Sequence, residues 1–403
     1  MHNICVELDS NYDSHPDFQF NLRELKPPFE KLDTFNNLVL RSRKLAPFLS
    51  EEALLNLAQD YRKQLQEIFL FLRTQCLDEF EELFLSELEK EVIRLALEEL
   101  GWNANFSRPQ LRKITSLEAQ LALKLEAQKY FLGELSHNVV DVLLNTCRKE
   151  LNFFRENAKK GALKRADLSS NRGATIRKIC KELNLQFREL GVFDAMGAYW
   201  GKKFRVSGLA LELSVPQSGW WQNHLPSLVR GPHTLYAHFD ESKSYPKAIV
   251  YLSDVDFRNG PTSCYPNVYD NLNLNPLKEL IGRVVGVVGG SKDSALNNYY
   301  SKQYHQSVGS ENFRKHFMRL PKEMRFNSHF GWDVMPESPL EKCLVEDEIK
   351  VIGGAGTFIV FDGSRLLHRG GLIESGERIA LQVIFSNNSY AQEIFAKINR
   401  IFK

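Results

Sequence analysis

Three residues of metal-binding type stand at a spacing that could hold one ion. His238 and Asp240 are two residues apart in a run that reads as a strand, and His368 follows a later apolar run that ends at Phe361. Because strand side chains two apart point to the same face, His238 and Asp240 can both aim inward. Two imidazoles and one carboxylate are the ligand set that holds Fe(II) while leaving coordination positions open for oxygen chemistry.

An arginine begins the strand that follows His368. Arg378 is succeeded at alternate positions by Ala380, Gln382 and Ile384, which would share its face of the strand. A guanidinium buried at that point needs an anionic partner, and its fork of donors suits a bidentate grip on a carboxylate. The four residue types together therefore predict an oxygen-activating enzyme that also binds a small dicarboxylate.

Composition fits a globular protein and gives no support for nucleic-acid or membrane binding. The 403 residues carry a net charge of +2, with 25% charged and 43% hydrophobic residues, and basic residues are interleaved with acidic ones. No run of about 18 apolar residues predicts a membrane span, and the polar start does not read as a signal peptide. Six cysteines without paired spacing predict reduced thiols in a cytoplasmic protein.

The chain divides into a helical part and a strand-rich part. Apolar residues repeat every three or four positions after Ser50, which is a fitting N-cap. Later, short runs separated by turn signals predict a β-sandwich or barrel. We expect a helical region over 1–165 and a strand domain over 166–403, with an insertion at about 266–345 that forms a lid or structural padding.

Individual elements can be assigned within this strand domain and its insertion. The expected strands are 206–215, 234–239, 248–252, 350–352, 357–361 and 378–385. The expected helices in the insertion are 277–288 and 311–320. The insertion also carries the residues where substrate contacts are first expected, namely His305, His316, His329 and Trp332.

The strand-rich part resembles the non-haem Fe(II)/2-oxoglutarate-dependent oxygenases, most closely the phytanoyl-CoA dioxygenase family. The resemblance covers about 205–390 and rests on His238-Phe239-Asp240, the segments 251–255 (YLSDV) and 259–262 (NGPT), the approach from Gly356 to His368, and Arg378. It implies an α+β protein with a double-stranded β-helix (jelly-roll) core and a large helical N-terminal region.

The same resemblance implies a role for each motif residue. His238, Asp240 and His368 would ligate Fe(II), and Arg378 would bind the distal carboxylate of 2-oxoglutarate, with O2 as the other co-substrate. The implied activity is hydroxylation or desaturation of a small-molecule or carrier-tethered substrate. Asp240 favours these outcomes because related halogenases lack the carboxylate ligand.

The chain departs from the family pattern at two positions near the co-substrate. Gly370 and Ala380 stand where some members carry hydroxyl residues. Further hydrogen bonds to 2-oxoglutarate must then come from other side chains. The candidates are Gln222, Tyr251 and Gln382.

Two other functional classes remain open at this point. One is a cupin-type metal-dependent isomerase, which would have no need of a dicarboxylate clamp at Arg378. The other is a catalytically inactive scaffold whose helical region binds a protein partner. Retention of His238, Asp240 and His368 counts against a scaffold, because an inactive site has no use for a complete ligand set.

Overall fold

The structure, a computed structural model, describes residues 3–104, 116–159, 165–166, 174–216, 233–240, 246–286, 311–371 and 373–387. The helices in these ranges are α1 (Ile4–Ser14), α2 (Phe29–Leu45), α3 (Glu51–Arg73), α4 (Glu79–Ala104), α5 (Ser116–Gln128), α6 (His137–Thr146), α7 (Arg148–Lys159), α8 (Ala174–Glu189), α9 (Val192–Trp200), α10 (Val268–Leu272), α11 (Pro276–Gly286), α12 (Glu311–Arg319) and α13 (Pro339–Asp347). The strands are β1 (Tyr130–Glu134), β2 (Arg165–Ala166), β3 (Arg205–Ser214), β4 (Lys247–Tyr251), β5 (Thr262–Tyr265), β6 (Ile349–Val351), β7 (Thr357–Phe361), β8 (Leu367–Arg369) and β9 (Arg378–Ser386).

The strands form two antiparallel sheets. The large sheet has the order β1-β7-β4-β9-β3-β2, and the small sheet has the order β6-β5-β8. His238 pairs with His368 on the other side of β8 and so extends the small sheet by a single bridge. From β3 onward, each pairing segment lies in the opposite sheet from its predecessor, except that β5 and β6 are neighbours in the small sheet.

Helices cover the outer faces of both sheets, because alternate strand residues are apolar on each side. Side chains of the large sheet such as Leu211, Val250 and Leu381 pack in one buried cluster with α5–α9. Tyr265 and Leu367 of the small sheet belong to a second cluster, shared with α1–α4 and α10–α13. A third cluster lies between the sheets and combines Tyr251, Ile359, Phe361 and Ala380 with Tyr130, Val255, Cys264, Val351 and Leu366.

Most elements expected from the sequence are confirmed. Ser50 caps α3, and its side chain accepts a hydrogen bond from Ala53 N at 3.2 Å. The strands expected at 206–215, 248–252, 350–352, 357–361 and 378–385 correspond to β3, β4, β6, β7 and β9. The two helices expected in the insertion correspond to α11 and α12.

The strand expected at 234–239 is wrong. Its first residues form a turn in which Tyr236 has a φ of 76°, and only His238 makes a β-bridge. The apolar character of Leu235, Ala237 and Phe239 reflects burial rather than a ladder of paired residues. Phe239 nevertheless packs on the opposite side from its two neighbours, as expected, against Phe326 and Phe330.

The helical region expected before residue 165 also contains one strand that was not predicted, because β1 belongs to the large sheet. Lys129 has a φ of 68°, which ends α5 and reverses the chain. Tyr130 to Glu134 then pair with β7 in register Tyr130 to Phe361. The domain division at 165 stays a prediction, and helices on both sides of that position share the core behind the large sheet.

Two expectations from composition concern the cysteines and membrane-spanning helices. All six cysteines are free thiols, which agrees with the expectation of reduced cysteines. None of the helices in the described ranges combines the length and the apolar character that crossing a bilayer requires. A cytoplasmic location stays a prediction from the sequence.

Candidate metal centre

The two histidines are joined by their own backbones. His238 N donates to His368 O at 2.9 Å, and His368 N donates to His238 O at 3.1 Å, so the residues form a closed antiparallel pair. Residue 368 is also the central residue of β8, which pairs with Cys264 of β5. The position of His368 is therefore fixed by a sheet, and that of His238 is fixed by His368.

The three candidate ligands converge between the ends of the two sheets. One nitrogen of each imidazole and one carboxylate oxygen of Asp240 all lie within 4.8 Å of one another. The Nε2 atoms of His238 and His368 are each 3.8 Å from Asp240 Oδ1. No other group of three such side chains occurs in the part of the chain that the structure describes. The sequence spacing therefore identified one real cluster.

Both imidazoles are held in the same tautomer. His238 Nδ1 is 2.8 Å from Tyr236 O, and His368 Nδ1 is 2.9 Å from Leu366 O. A carbonyl oxygen only accepts, so each Nδ1 carries the proton and donates it. Each Nε2 is then left with a lone pair directed to the cluster, the arrangement that metal-binding histidines use.

Burial keeps both imidazoles neutral. Burial lowers the pKa of His368 to about 3, with the neighbouring His238 ring acting in the same direction. Burial also lowers the pKa of His238, although Asp240 opposes the shift. Neutral imidazoles near pH 7 are the form that can ligate a cation.

Asp240 is the charged member of the cluster and has a lysine beside it. Lys247 Nζ, on β4, lies 2.5 Å from Asp240 Oδ1. Burial alone would raise the pKa of Asp240, but the Lys247 ammonium and the two imidazoles hold that pKa well below its usual range. Lys247 thus lies half-buried against the candidate ligand.

The turn after β7 positions the carboxylate. Asp362 Oδ1 accepts hydrogen bonds from the backbone and hydroxyl of Ser364 at 3.1 and 2.7 Å, which fixes the turn. Gly363 O then accepts from Asp240 N at 2.7 Å. A Cβ on Gly363 would lie 1.8 Å from Asp240 Oδ2, so a side chain here would displace the carboxylate. That Oδ2 atom is buried and has no hydrogen-bond partner within the described residues.

Arg378 is buried at the start of β9, where the sequence predicted a guanidinium that needs an anion. Its Nη1 donates to Gly260 O, and its Nη2 is 3.8 Å from Glu212 Oε2 on β3. Its Nε is buried without a hydrogen-bond partner in the described ranges. Glu212 was missed from the sequence. Glu212 lies on β3 two residues before Ser214, which pairs with Arg378, and nothing in the sequence indicates that pairing.

Three further side chains were expected to form hydrogen bonds with 2-oxoglutarate. Tyr251 is buried, and its hydroxyl donates to Val351 O at 3.0 Å and accepts from Thr262 N at 2.9 Å. Because its single O–H is already engaged between strands, Tyr251 does not suit the expected role as a donor to 2-oxoglutarate. Gln382 lies on β9 opposite Ile249 and stays a candidate. Gln222 lies outside the described residues.

Among the described residues of the insertion, the expected substrate contacts differ in where they lie. The ring of His329 stacks on that of His238 with centroids 4.8 Å apart and planes 16° apart. Trp332 contacts Tyr236 at 4.0 Å between centroids. His316 is instead buried on α12 against Phe84 of α4, so its expected role in substrate contact is wrong. His305 lies outside the described residues.

The chain is similar to several solved structures that share only 11–14% of its sequence. They include the epimerase SnoN in complex with Fe3+, alpha ketoglutarate and nogalamycin RO (TM-score 0.36, 11% identity, 67% of this chain and 83% of that chain). HygX from Streptomyces hygroscopicus, with nickel and 2-oxoglutarate bound, has a TM-score of 0.33 at 11% identity over 67% of this chain and 87% of that one. EctD from S. alaskensis, with 2-oxoglutarate and 5-hydroxyectoine, has a TM-score of 0.35 at 14% identity over 70% and 82%.

These similar structures hold the co-substrate that the sequence predicts here, and two of them hold a metal ion as well. No protein-family model and no curated protein sequence matches the chain. A similarity at these TM-scores and identities assigns neither a family nor an activity to this protein. The geometry of the cluster must therefore carry the functional conclusion.

Proposed function

We propose that this protein is an Fe(II)- and 2-oxoglutarate-dependent dioxygenase that hydroxylates or desaturates a small-molecule or carrier-tethered substrate. The observation that carries the proposal is the convergence of His238, Asp240 and His368 with their ligand atoms within 4.8 Å of one another. Two imidazoles and one carboxylate on one side of an iron ion leave positions for a chelating co-substrate and O2.

The residues present fit a divalent cation. Both Nε2 atoms have lone pairs directed at the cluster, because Nδ1 of each ring donates to a carbonyl. Asp240 supplies the negative charge, and its buried Oδ2 has no hydrogen-bond partner among the described residues. His238, Asp240 and His368 would hold the ion. The chemistry supplied by iron with 2-oxoglutarate and O2, once bound, is oxidation of a substrate C–H bond.

The topology supports a double-stranded β-helix, the core that the phytanoyl-CoA dioxygenase-like resemblance implies. With the His238 bridge included, the small sheet has the order β6-β5-β8-His238, opposite β7-β4-β9-β3 in the large sheet. Eight segments that alternate between two facing antiparallel sheets, apart from the neighbouring β5 and β6, are the arrangement expected of a jelly roll. The cluster then lies at one end of the space between those sheets.

Arg378 is the proposed clamp for the distal carboxylate of 2-oxoglutarate. Its Nε is a buried donor without a partner in the described ranges, and such a donor favours an added acceptor. Glu212 already lies 3.8 Å from its Nη2 and keeps the guanidinium compensated when no co-substrate is bound. The role of this chain's residues is then to bind and orient the keto-diacid between Arg378 and the triad.

One observation favours a different function, an inactive scaffold. The Lys247 ammonium contacts Asp240 Oδ1 at 2.5 Å and could replace a cation there. A lysine that permanently neutralises Asp240 would leave a folded but metal-free site. Lys247 is the discriminating residue, because its side chain is 32% exposed and its long stem can turn away from Asp240.

The proposal is tested by adding Fe(II) and 2-oxoglutarate to the protein without oxygen and recording the visible spectrum. A weak charge-transfer absorption that needs both additions is the expected result, followed by succinate formation when O2 is admitted. Absence of the absorption together with no detectable binding of any divalent metal would exclude the dioxygenase and favour the scaffold. In that case Lys247→Met should create metal binding.

Two variants separate the roles within the proposed site. His368→Ala should abolish iron binding, because it removes the ligand that is fixed in β8. Arg378→Ala should leave iron binding intact and raise the 2-oxoglutarate concentration needed for succinate formation. Exposed His137 and Arg258 provide the matched controls His137→Ala and Arg258→Ala, which should behave as the wild type.

A further inference from the structure

The rings of the two candidate histidine ligands contact each other at 4.4 Å between centroids, and each contacts one further aromatic ring, which differs between them. His368 meets Phe361 of β7 at 4.7 Å between centroids in an edge-to-face contact. His238 meets His329, which is stacked at 4.8 Å with the planes 16° apart. A stacked neighbour restricts rotation of the imidazole plane, so His329 fixes a degree of freedom that the Nδ1 hydrogen bond of His238 alone does not.

His329 is itself oriented by its immediate neighbours. Its Nδ1 is 3.1 Å from the hydroxyl of buried Ser328, and its backbone N donates to Asn327 Oδ1 at 2.9 Å. Among the described residues 324–334, His329 is the side chain that solvent reaches, while those flanking it are buried. The ring therefore stands at the open side of the cluster with a fixed attachment behind it.

The segment that carries His329 is fastened directly to the segment that carries His238. Phe239 N donates to Ser328 O at 2.8 Å, and Gly331 N donates to Ala237 O at 3.1 Å. A Cβ on Gly331 would lie 2.5 Å from Ala237 O and 2.7 Å from Thr234 O. The backbones approach so closely that the stacking of the two imidazoles is built into the fold.

The N-terminal helix α1 fastens the same segment from behind. Tyr12 OH donates to Asp333 Oδ2 at 2.7 Å, and Asn327 Nδ2 donates to the same oxygen at 3.1 Å. Asn11 Nδ2 donates to Asp333 O at 2.6 Å, and Asn11 Oδ1 accepts from Met335 N at 3.1 Å. All these side chains are buried apart from that of Met335, which is partly exposed. Helix α1 thus holds the C-terminal end of the stretch on which His329 stands, and Asp333 joins that end to Asn327 at the other.

We propose that His329 is a positioning residue that holds the ring plane of the ligand His238, and that α1 acts on the metal centre through it. This inference rests on the proposed metal site and gives the N-terminal helix a role in it. Removing a group that orients a ligand typically lowers metal affinity by about ten- to a hundredfold. The flat face, rather than the polar edge, of His329 supplies the effect.

The test is an anaerobic titration of the full-length protein with Co(II), following the visible absorption of the bound ion. His329→Ala should weaken Co(II) binding by about tenfold or more and alter the absorption of the bound ion, because the His238 ring is free to turn. His329→Phe should restore the wild-type spectrum and come within about threefold of the wild-type affinity. The exposed-site variant His137→Ala is the control, and thermal unfolding checks that each variant is folded.

The outcomes separate this inference from the proposed function. If the wild type binds no divalent metal, the dioxygenase proposal fails first. If the wild type binds Co(II) and His329→Ala binds equally well with an unchanged spectrum, only the positioning role is overturned. It is also overturned if His329→Phe behaves like His329→Ala, since a flat ring at 329 would then be insufficient.

Discussion

The two histidines of the metal centre are held in different ways, one by neighbouring residues and the other by residues far away in the chain. His368, Phe361 and Gly363 belong to one strand-turn-strand unit, β7 to β8, and His368 is buried within a sheet. His238 makes a single bridge, is partly exposed, and depends on 327–333 and, behind that segment, on α1. We call the β7–β8 unit with His368 the local half of the site, and His238 with the segments that hold it the remote half. The local half should tolerate changes elsewhere in the chain, whereas the remote half should respond to changes in the helices packed behind it.

The largest effect is expected from disturbing the local half at Gly363. In Gly363→Ala the new methyl group would overlap Asp240 Oδ2 and lie 2.6 Å from its Cγ, so the carboxylate must turn away from the two Nε2 atoms. Loss of a correctly placed carboxylate should reduce Co(II) affinity by about a hundredfold. Isothermal titration under anaerobic conditions measures the change.

The matched control for this variant lies seven residues further along. A Cβ on Gly370 would meet nothing within 4 Å, although this residue is only two positions from His368. Gly370→Ala should therefore keep the affinity of the wild type. Equal losses in the two variants would mean that loop flexibility, and not the position of Asp240, determines metal binding.

The next effect concerns the remote half and its close backbone approach. Gly331→Ala would force a methyl group against the backbones of Ala237 and Thr234, neither of which can yield as a side chain would. Overpacking of this kind should cost about 2–3 kcal/mol in the free energy of unfolding. The displaced segment should also lower Co(II) affinity to the level of His329→Ala.

Urea unfolding and Co(II) titration together check that prediction. Gly208→Ala is the control, because a Cβ there meets nothing within 4 Å. If Gly331→Ala loses stability but keeps the wild-type Co(II) spectrum, then the 328–332 segment does not position His238. The remote half of the site would then be held by contacts other than this backbone approach.

The local half of the site is also the part that was readable from the sequence. The run that ends at Phe361 and the alternation after Arg378 are short-range patterns that depend on strand geometry alone, and they predicted β7 and β9 correctly. The strand expected around His238 and Asp240 does not form, although both residues do meet His368. Physical rules for neighbouring residues are sufficient wherever one element supplies the geometry.

The remote half was not readable, because its contacts join residues that are far apart in the chain. Nothing in the sequence pairs Tyr12 with Asp333, or places Lys247 on Asp240 and Glu212 near Arg378. The strand β1 was also missed, since five residues between two helices carry too weak an alternation to outweigh the helical pattern around them. Tertiary packing decided each of these cases.

A smaller effect is expected from the charge buried behind the remote half. Burial raises the pKa of Asp333 to about 7, against hydrogen bonds from Tyr12 and Asn327 that lower it. Because the folded pKa exceeds that of the unfolded chain, this group favours folding at low pH, and the benefit is lost as pH rises from about 4 through 7. Above pH 7 the buried Asp333 side chain is ionised, which lowers the free energy of unfolding.

Asp333→Asn should therefore match the wild type near pH 4 and exceed its stability at pH 8. A shift of about three pH units corresponds to at most about 4 kcal/mol, which is the upper limit of the difference expected at pH 8. Urea unfolding of both proteins at several pH values measures the difference. A difference that is constant with pH would show that Asp333 does not titrate between pH 4 and pH 8 in the folded protein.

The smallest effect is expected at Ser328, whose buried hydroxyl lies 3.1 Å from His329 Nδ1. Ser328→Ala removes one hydrogen bond but keeps the ring stacked on His238, since the backbone bonds from Phe239 and Gly331 remain. We expect a loss of about 1 kcal/mol in stability and a change in Co(II) affinity of less than about threefold. The control is Ser207→Ala, at an exposed serine whose hydroxyl donates a hydrogen bond to Ile384 O.

A loss of affinity in Ser328→Ala as large as that in His329→Ala would mean that the hydroxyl, rather than the backbone pairing, sets the plane of His329. The remote half would then depend on one side-chain contact instead of on the approach of two segments.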